Sequence, residues 1–471
     1  PLRDGGSGAV AYADSIGVYL GLGVSKLADS GNALVSWKAS MNQPIHLFTR
    51  QAIPMMWDFA EPCVFSGAMG DPVITLKNIA RVLDELPACI IGNVCQSDAQ
   101  NQTITKDKVV STDPPYYDNV PYADLSDFFY TWLRRSLREV FPKLFSTLAV
   151  PKAEELVAFA YRHKDGKQGA EAFFLEGMTQ AMHRVVEQAH PAFPVTIYYA
   201  FKQAESDTEA GTSSTGWETF LDAVVRAGFS VSGTWPTRTE LANRMRGMDS
   251  NALASSIVLV CRAREASAPT ATRREFVSAL KAELPVALRH LQEGNIAPVD
   301  LAQAAIGPGM AVYTRYAKVL DAEGKPVPVR EALALINQVL DETLAEQEGD
   351  FDADSRFAIA WFEQNGFDEG EFGVADVLAR AKVTSVSGLA EAGILESKRG
   401  KVRLLKAAEL PADWDPSKDQ RLTHWEIVHQ LIRALESGGE GAAASLVAKL
   451  GSKTETAREL AYRLYSLCER K

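Results

Sequence analysis

The residues best suited to chemistry are Asp113-Pro114-Pro115-Tyr116, set within Lys108-Val109-Val110-Ser111-Thr112 and Tyr117-Asp118-Asn119. A carboxylate and a neighbouring backbone carbonyl can together accept both N–H bonds of an exocyclic aromatic amine. Such an amine is a poor nucleophile, because its lone pair is spread into the ring. Gripping both hydrogens pushes the nitrogen toward tetrahedral geometry and aims the lone pair at an electrophilic methyl group. A rigid Asp-Pro supplies both acceptors without reorganisation. Tyr116 offers a flat face for an extruded base. The same pattern also describes a plain proline-stiffened turn.

The apolar Val109-Val110 ahead of the acid predicts a buried strand that stops at a rigid loop. The prolines fix their own φ and push the residues before them toward extended backbone. Asp113 then sits at the carboxyl end of a strand, where open α/β sheets bind their ligands. Cys89 to Val94 predicts a second buried strand, ending at Ser97-Asp98-Ala99, fifteen residues before Asp113. If the two strands are parallel neighbours, both carboxylates face one crevice, and Asp98 can accept a hydrogen bond from a cofactor's adenine amine. Its other reading is a turn cap.

Downstream, Ala123 to Val140 predicts a helix whose stripe of Leu125, Phe128, Phe129, Trp132, Leu133 and Leu137 reads as core. Arg134, Arg135 and Arg138 fall mostly on the other side, as a solvated face or as phosphate contacts. Glu171 to Glu187 is a further helix and Pro194 to Lys202 a strand. Thr215-Gly216-Trp217-Glu218 matches a capping box opening a helix through Val225. Phe229 to Trp235 and Ala254 to Cys261 are strands. Arg238, Arg244 and Arg246 lie between those two, as DNA-phosphate candidates or ordinary surface. The alternation predicts an α/β domain over residues 1–265 with a largely parallel sheet.

On either side the pattern is mostly helical. Gly5-Gly6-Ser7-Gly8 reads as a loop before a helix running from Val10 to Asp29, and Leu76 to Leu86 has helical periodicity. Ser267 to Thr272 reads as a linker. A helical extension follows over 274–345, with helices Arg274 to Glu293 and Val329 to Glu346 flanking a Gly/Pro-rich segment at Ile306-Gly307-Pro308-Gly309. Residues 355–407 predict three short helices and a hairpin with a basic tip, which suggests a winged helix. Lys398, Arg399, Lys401 and Arg403 are then phosphate-binding candidates. A small packing module with a solvated turn fits the same pattern. Residues 421–471 read as terminal helices, opened by the capping box Thr423-His424-Trp425-Glu426.

A chain of 471 residues with 23% charged residues predicts about two to four domains. The net charge of −11 argues against indiscriminate coating of DNA and leaves room for a local DNA cleft. The five cysteines form no C-x-x-C pair and read as reduced, mostly buried thiols of a cytoplasmic protein, and the seven histidines show no metal spacing. No apolar run has membrane-spanning length. The start at Pro1, without a signal peptide, reads as a piece of a longer protein.

The run from Thr112 to Asn119, with Tyr122 and Leu125-Ser126-Asp127-Phe128-Phe129-Tyr130-Thr131-Trp132-Leu133-Arg134-Arg135, resembles the adenine-specific DNA methylases that carry a zinc ribbon and are associated with phage-defence gene clusters. The resemblance extends to about residue 345 and is marked again at Ala254-Ser255-Ser256-Ile257. It implies a partial Rossmann-like sheet using S-adenosylmethionine, followed by a mostly helical C-terminal region. It implies that Asp113, Pro114, Pro115 and Tyr116 are the catalytic tetrad and Asp98 the cofactor-side acid. The family's glycine-rich cofactor loop and zinc ribbon lie upstream of the residues matched here. DNA, and protein partners in a defence complex, are the partners it implies. Methylation of cytosine or of an RNA base is a second expectation. A non-catalytic DNA-binding or scaffold module is a third.

Overall fold

The computed structural model describes residues 5–49, 52–58, 60–86, 92–199, 215–238, 255–294, 298–346, 351–411, 413–419 and 421–469. It is a mixed α/β protein, more helical than not, with small sheets. The chain divides into two compact units, Pro1–Ile104 with Pro115–Glu187, and Thr105–Pro114 with Gln188–Lys471. The span 1–265 expected to be one domain is therefore shared between both.

The first unit is helical. Helix α1 (Ala9–Ser30) is followed by a short antiparallel ribbon of β1 (Trp37–Lys38) and β2 (Gln43–Pro44), then α2 (Pro72–Glu85), α3 (Tyr122–Leu137) and α4 (Gly166–Gln188). Asp71 caps α2 by accepting the Val73 N–H at 2.8 Å, and Pro72 fills the first helical position, where no N–H is needed. Helix α1 crosses α3 closely at Gly21, where a Cβ would lie 3.0 Å from Leu137. Helix α4 buries Ala170, Phe174, Met178, Ala181, Met182 and Val185, a stripe at helical spacing. The stripe of α3 is less deeply packed than its sequence suggests. Of its six apolar residues only Leu137 is buried, and Trp132 is 42% exposed. Phe128 and Phe129 are half-buried against Phe48.

The second unit holds the main sheet. Its strands are β3 (Ser111–Thr112), β4 (Val195–Tyr199), β5 (Phe229–Arg238) and β6 (Ser255–Ala263), in the order β3-β4-β6-β5. The pair β3–β4 is parallel, whereas β6 runs antiparallel to both β4 and β5. The expectation of a largely parallel sheet is thus corrected to a mixed one. An apolar run reports burial on both faces and carries no information on strand direction. Helix α5 (Thr215–Arg226) packs Trp217 and Phe220 against Tyr199, whose ring lies 4.0 Å from that of Phe220.

Beyond the sheet, β7 (Thr270–Thr272) pairs in parallel with β8 (Lys318–Leu320), so the expected linker is half strand. Between them run α6 (Arg273–Glu293) and α7 (Pro298–Thr314), and α8 (Val329–Glu346) follows. The Gly/Pro segment expected to separate helices lies inside α7. A Cβ at Gly307 would lie 2.1 Å from Thr234 of β5, and one at Gly309 would lie 2.5 Å from Ile336 of α8. These glycines let α7 touch strand and helix at backbone distance. Pro308 has no N–H for the Ala304 carbonyl one turn back. The buried Thr234 hydroxyl donates to that carbonyl instead, at 2.9 Å.

The last part of the second unit has its own core, built from residues including Phe357, Trp361, Leu389, Val402, Leu404, Trp425 and Leu460. The order is α9 (Ala353–Asn365), β9 (Gly370–Glu371), α10 (Phe372–Ala381), α11 (Val386–Glu391), β10 (Leu395–Lys398) and β11 (Lys401–Leu404). The strands form an antiparallel sheet in the order β10-β11-β9. Three short helices thus precede the β10–β11 hairpin, and β11 also pairs with β9. Helices α12 (His424–Leu450), bent at Gly439 with φ 68°, and α13 (Lys453–Glu469) complete the same core, so 355–407 and 421–471 pack as one body.

Candidate functional site

Strand β3 is held by its register with β4. The Thr196 N–H donates to the Val110 carbonyl at 3.0 Å, and the Thr196 hydroxyl meets that of Ser111 at 3.0 Å. Only Ser111 and Thr112 are strand, and Val109 is 64% exposed, so the buried run is shorter than the sequence suggests. Asp113 follows at the carboxyl end and is exposed; Pro114 is buried. The chain passes from one unit to the other between Pro114 and Pro115. Pro115 and Tyr116 are half-buried, so the corner is not sealed in an interior.

After Pro115 the loop is fixed by its own backbone. The Tyr117 N–H donates to the Pro115 carbonyl at 3.2 Å and the Asn119 N–H to the Tyr116 carbonyl at 2.9 Å. Tyr117 is buried, has φ 44°, and meets Phe174 edge to face at 5.1 Å. Burial, with the carboxylates of Glu171 and Asp118, pushes its hydroxyl up to about 12, so the phenol stays protonated.

A charge network missed at the sequence level supports this loop. Arg162 donates to Asp124 at 2.6 Å and to Glu155 at 2.7 Å. Glu155 in turn accepts the Ala123 N–H at 2.9 Å, supplying the start of α3 with the acceptor that Pro121 lacks. Asp127 accepts from Lys152 at 2.7 Å and from the Val150 N–H at 2.8 Å. The segment so anchored presents the Ala158 N–H to the Tyr117 carbonyl at 2.9 Å. Burial opposes the charge on Arg162, but the bonds to Glu155 and Asp124 prevail and hold it firmly cationic. Two acids three apart on an apolar helix were the available signal.

Asp98 belongs to the first unit and Asp113 to the second. Residues 92–98 are exposed and form no strand, and Val94 is fully exposed; 87–91 lie outside the described residues. The Asp98 carboxylate accepts the Gln100 N–H at 2.9 Å and the Asn101 side-chain amide at 2.8 Å. That is a turn cap, the plainer of its two readings. The carboxylate is exposed and retains lone pairs beyond these two bonds.

Arg238 ends β5, while Arg244 and Arg246 lie outside the described residues. At the β10–β11 hairpin, Arg399 (φ 51°) and Gly400 (φ 78°) form the two-residue turn. Lys398 pairs with Glu396 and Lys401 with Glu371. Arg403 lies 2.9 Å from Glu396 and 2.8 Å from Glu409, and holds the Glu409 carboxyl down to about 2. The candidate phosphate binders other than Arg399 thus already have acidic partners within the module.

Among the described residues, no group of three or more His, Cys, Asp or Glu side chains has metal-binding geometry, and no helix is long and apolar enough to cross a membrane. Cys63, Cys95 and Cys468 are exposed rather than buried, which corrects the expectation for those thiols. Cys261 is buried, and burial pushes its thiol up to about 12.

Residues 352–471 match the model of a family described as a domain of unknown function, DUF8807. No curated protein and no solved structure matches the chain.

Proposed function

We propose that the chain carries the acceptor-gripping part of a DNA amino-methyltransferase acting on the exocyclic amine of adenine. The observation that carries this reading is Asp113, exposed at the carboxyl end of β3 and followed by a loop locked backbone to backbone. The Asp113 carboxylate and the Pro114 carbonyl accept the two amine hydrogens, and the flipped base stacks on Tyr116. As the nitrogen gains a methyl group it gives up one of its protons along the hydrogen bond to the Asp113 carboxylate, and no covalent enzyme intermediate forms. The parallel pair β3–β4, with Asp113 at the carboxyl end of β3, also supports the reading, because open α/β sheets bind their ligands at that end.

S-adenosylmethionine is the donor implied by the resemblance, and when bound it supplies an electrophilic methyl group. Asp98, the acid that the resemblance implies on the cofactor side, would hold its adenine amine there, and in this structure its carboxylate also caps its own turn. The test is methyl transfer to duplex DNA by the natural full-length protein and by Asp113→Ala. A loss on the order of 100-fold or more is expected in the variant, as for removal of one preorganised polar contact. Unchanged turnover would sink the mechanism. Mass spectrometry of the product separates adenine from cytosine, and DNA from RNA.

A second reading is favoured by the three short helices and the β10–β11 hairpin, namely a DNA-binding or scaffold module of a multiprotein defence complex. Titration with labelled cofactor and with duplex DNA separates the two. DNA binding without cofactor binding would favour the module.

A further inference from the structure

Tyr116 is followed at once by a second tyrosine, and the fold treats the two differently. Tyr116 stays half-buried, whereas Tyr117 is 7% exposed. Tyr117 adopts φ 44°, a left-handed conformation that a bulky L-residue holds only when its surroundings impose it. Glycine would adopt that backbone without cost. A tyrosine there implies that its ring and its contacts are needed.

Those contacts pin the backbone around Tyr116. The peptide before Tyr116 is tied through the Pro115 carbonyl, which accepts the Tyr117 N–H, and the peptide after it through the Tyr116 carbonyl, which accepts the Asn119 N–H. The Tyr117 carbonyl is strapped to the Ala158 N–H, on the segment anchored to α3 through Arg162. The Tyr117 ring is wedged edge to face on Phe174, a fully buried residue of α4. With both adjoining peptide planes fixed, the direction in which the Tyr116 side chain leaves the backbone is fixed as well.

We propose that Tyr117 is the positioning residue of this corner, an inward wedge that fixes the direction in which Tyr116 leaves the backbone to meet a flat base. The proposal rests on the methyl-transfer reading. It assigns Tyr117 a packing role, in keeping with a ring buried against Phe174. The ring is required and the hydroxyl is not.

The test uses the natural full-length protein with Tyr117→Phe, Tyr117→Gly and Phe174→Leu. Steady-state methylation of duplex DNA is read beside hydrogen exchange of peptides covering 115–119 and 158. Tyr117→Phe should keep kcat and protection near the parent values. Tyr117→Gly relieves the backbone but removes the wedge. It should lose about 100-fold in kcat, as for a misplacement of about 1 Å, with a smaller change in KM for DNA. Its 115–119 amides should exchange faster. Should Tyr117→Gly fail to fold, Phe174→Leu is expected to show the same pattern in milder form. A glycine variant with parental kcat would overturn the proposal, as would a phenylalanine variant as impaired as the glycine one. If the parent transfers no methyl group, the functional reading fails by itself. Hydrogen exchange still decides the wedge in that case, because unchanged protection at 115–119 in Tyr117→Gly removes it.

Discussion

Glu426 shows what a single buried carboxyl does to this fold. It lies in the first turn of α12, 5% exposed, beside Asp419. Burial, reinforced by the Asp419 carboxylate, pushes it up to about 8. A carboxyl raised on folding binds its proton more tightly in the native state than in the unfolded chain. Its favourable contribution is complete below its ordinary value of 4.5 and is lost as pH rises through about 8. Glu426→Gln should therefore melt close to the parent at pH 4 and above it at pH 9. The gain at high pH is on the order of a few kcal/mol. Thermal melts across that range check the sign, and equal melting curves at pH 9 would remove the assignment.

Among the elements, α7 illustrates how a local rule is overridden. Ile306-Gly307-Pro308-Gly309 reads as a break, because proline removes a donor and glycine loosens a helix. The helix continues because a strand residue distant in sequence, Thr234, satisfies the orphaned Ala304 carbonyl, and because close packing on β5 and Ile336 requires glycine. Thr234→Val keeps the shape and deletes the donor. It should cost about 1–3 kcal/mol, measurable by denaturant unfolding. The helices α1, α8, α9 and α10 were legible because their apolar periodicity is local. Strand directions were not, since pairing depends on residues far apart in the chain. The site divides in the same way. Asp113 through Tyr116 stood out by residue type and spacing. Tyr117 did not, because its importance lies in burial and in a backbone angle. Asp98 was read two ways, and the structure shows the cap, with Gln100 and Asn101 as its partners.

For the whole molecule, the matched region 352–471 coincides with a core whose buried residues run from Phe351 to Leu467. That core buries three large rings completely or nearly so, Phe357, Trp361 and Trp425. A piece spanning 351–471 should fold alone and unfold in one cooperative transition by calorimetry. A broad, non-cooperative melt would show that it depends on the rest of the chain. The other end of the second unit is organised oppositely. Ser111 finds its partner Thr196 only after the chain has left and completed the other unit, from Pro115 to Glu187. On the ribosome, β3 must wait for some eighty further residues before its ladder can close. During that interval the loop from Pro115 can already lock onto Ala158 and Phe174, while Asp113 lacks the strand ladder behind it, so a chain stalled ahead of β4 carries only half of the corner.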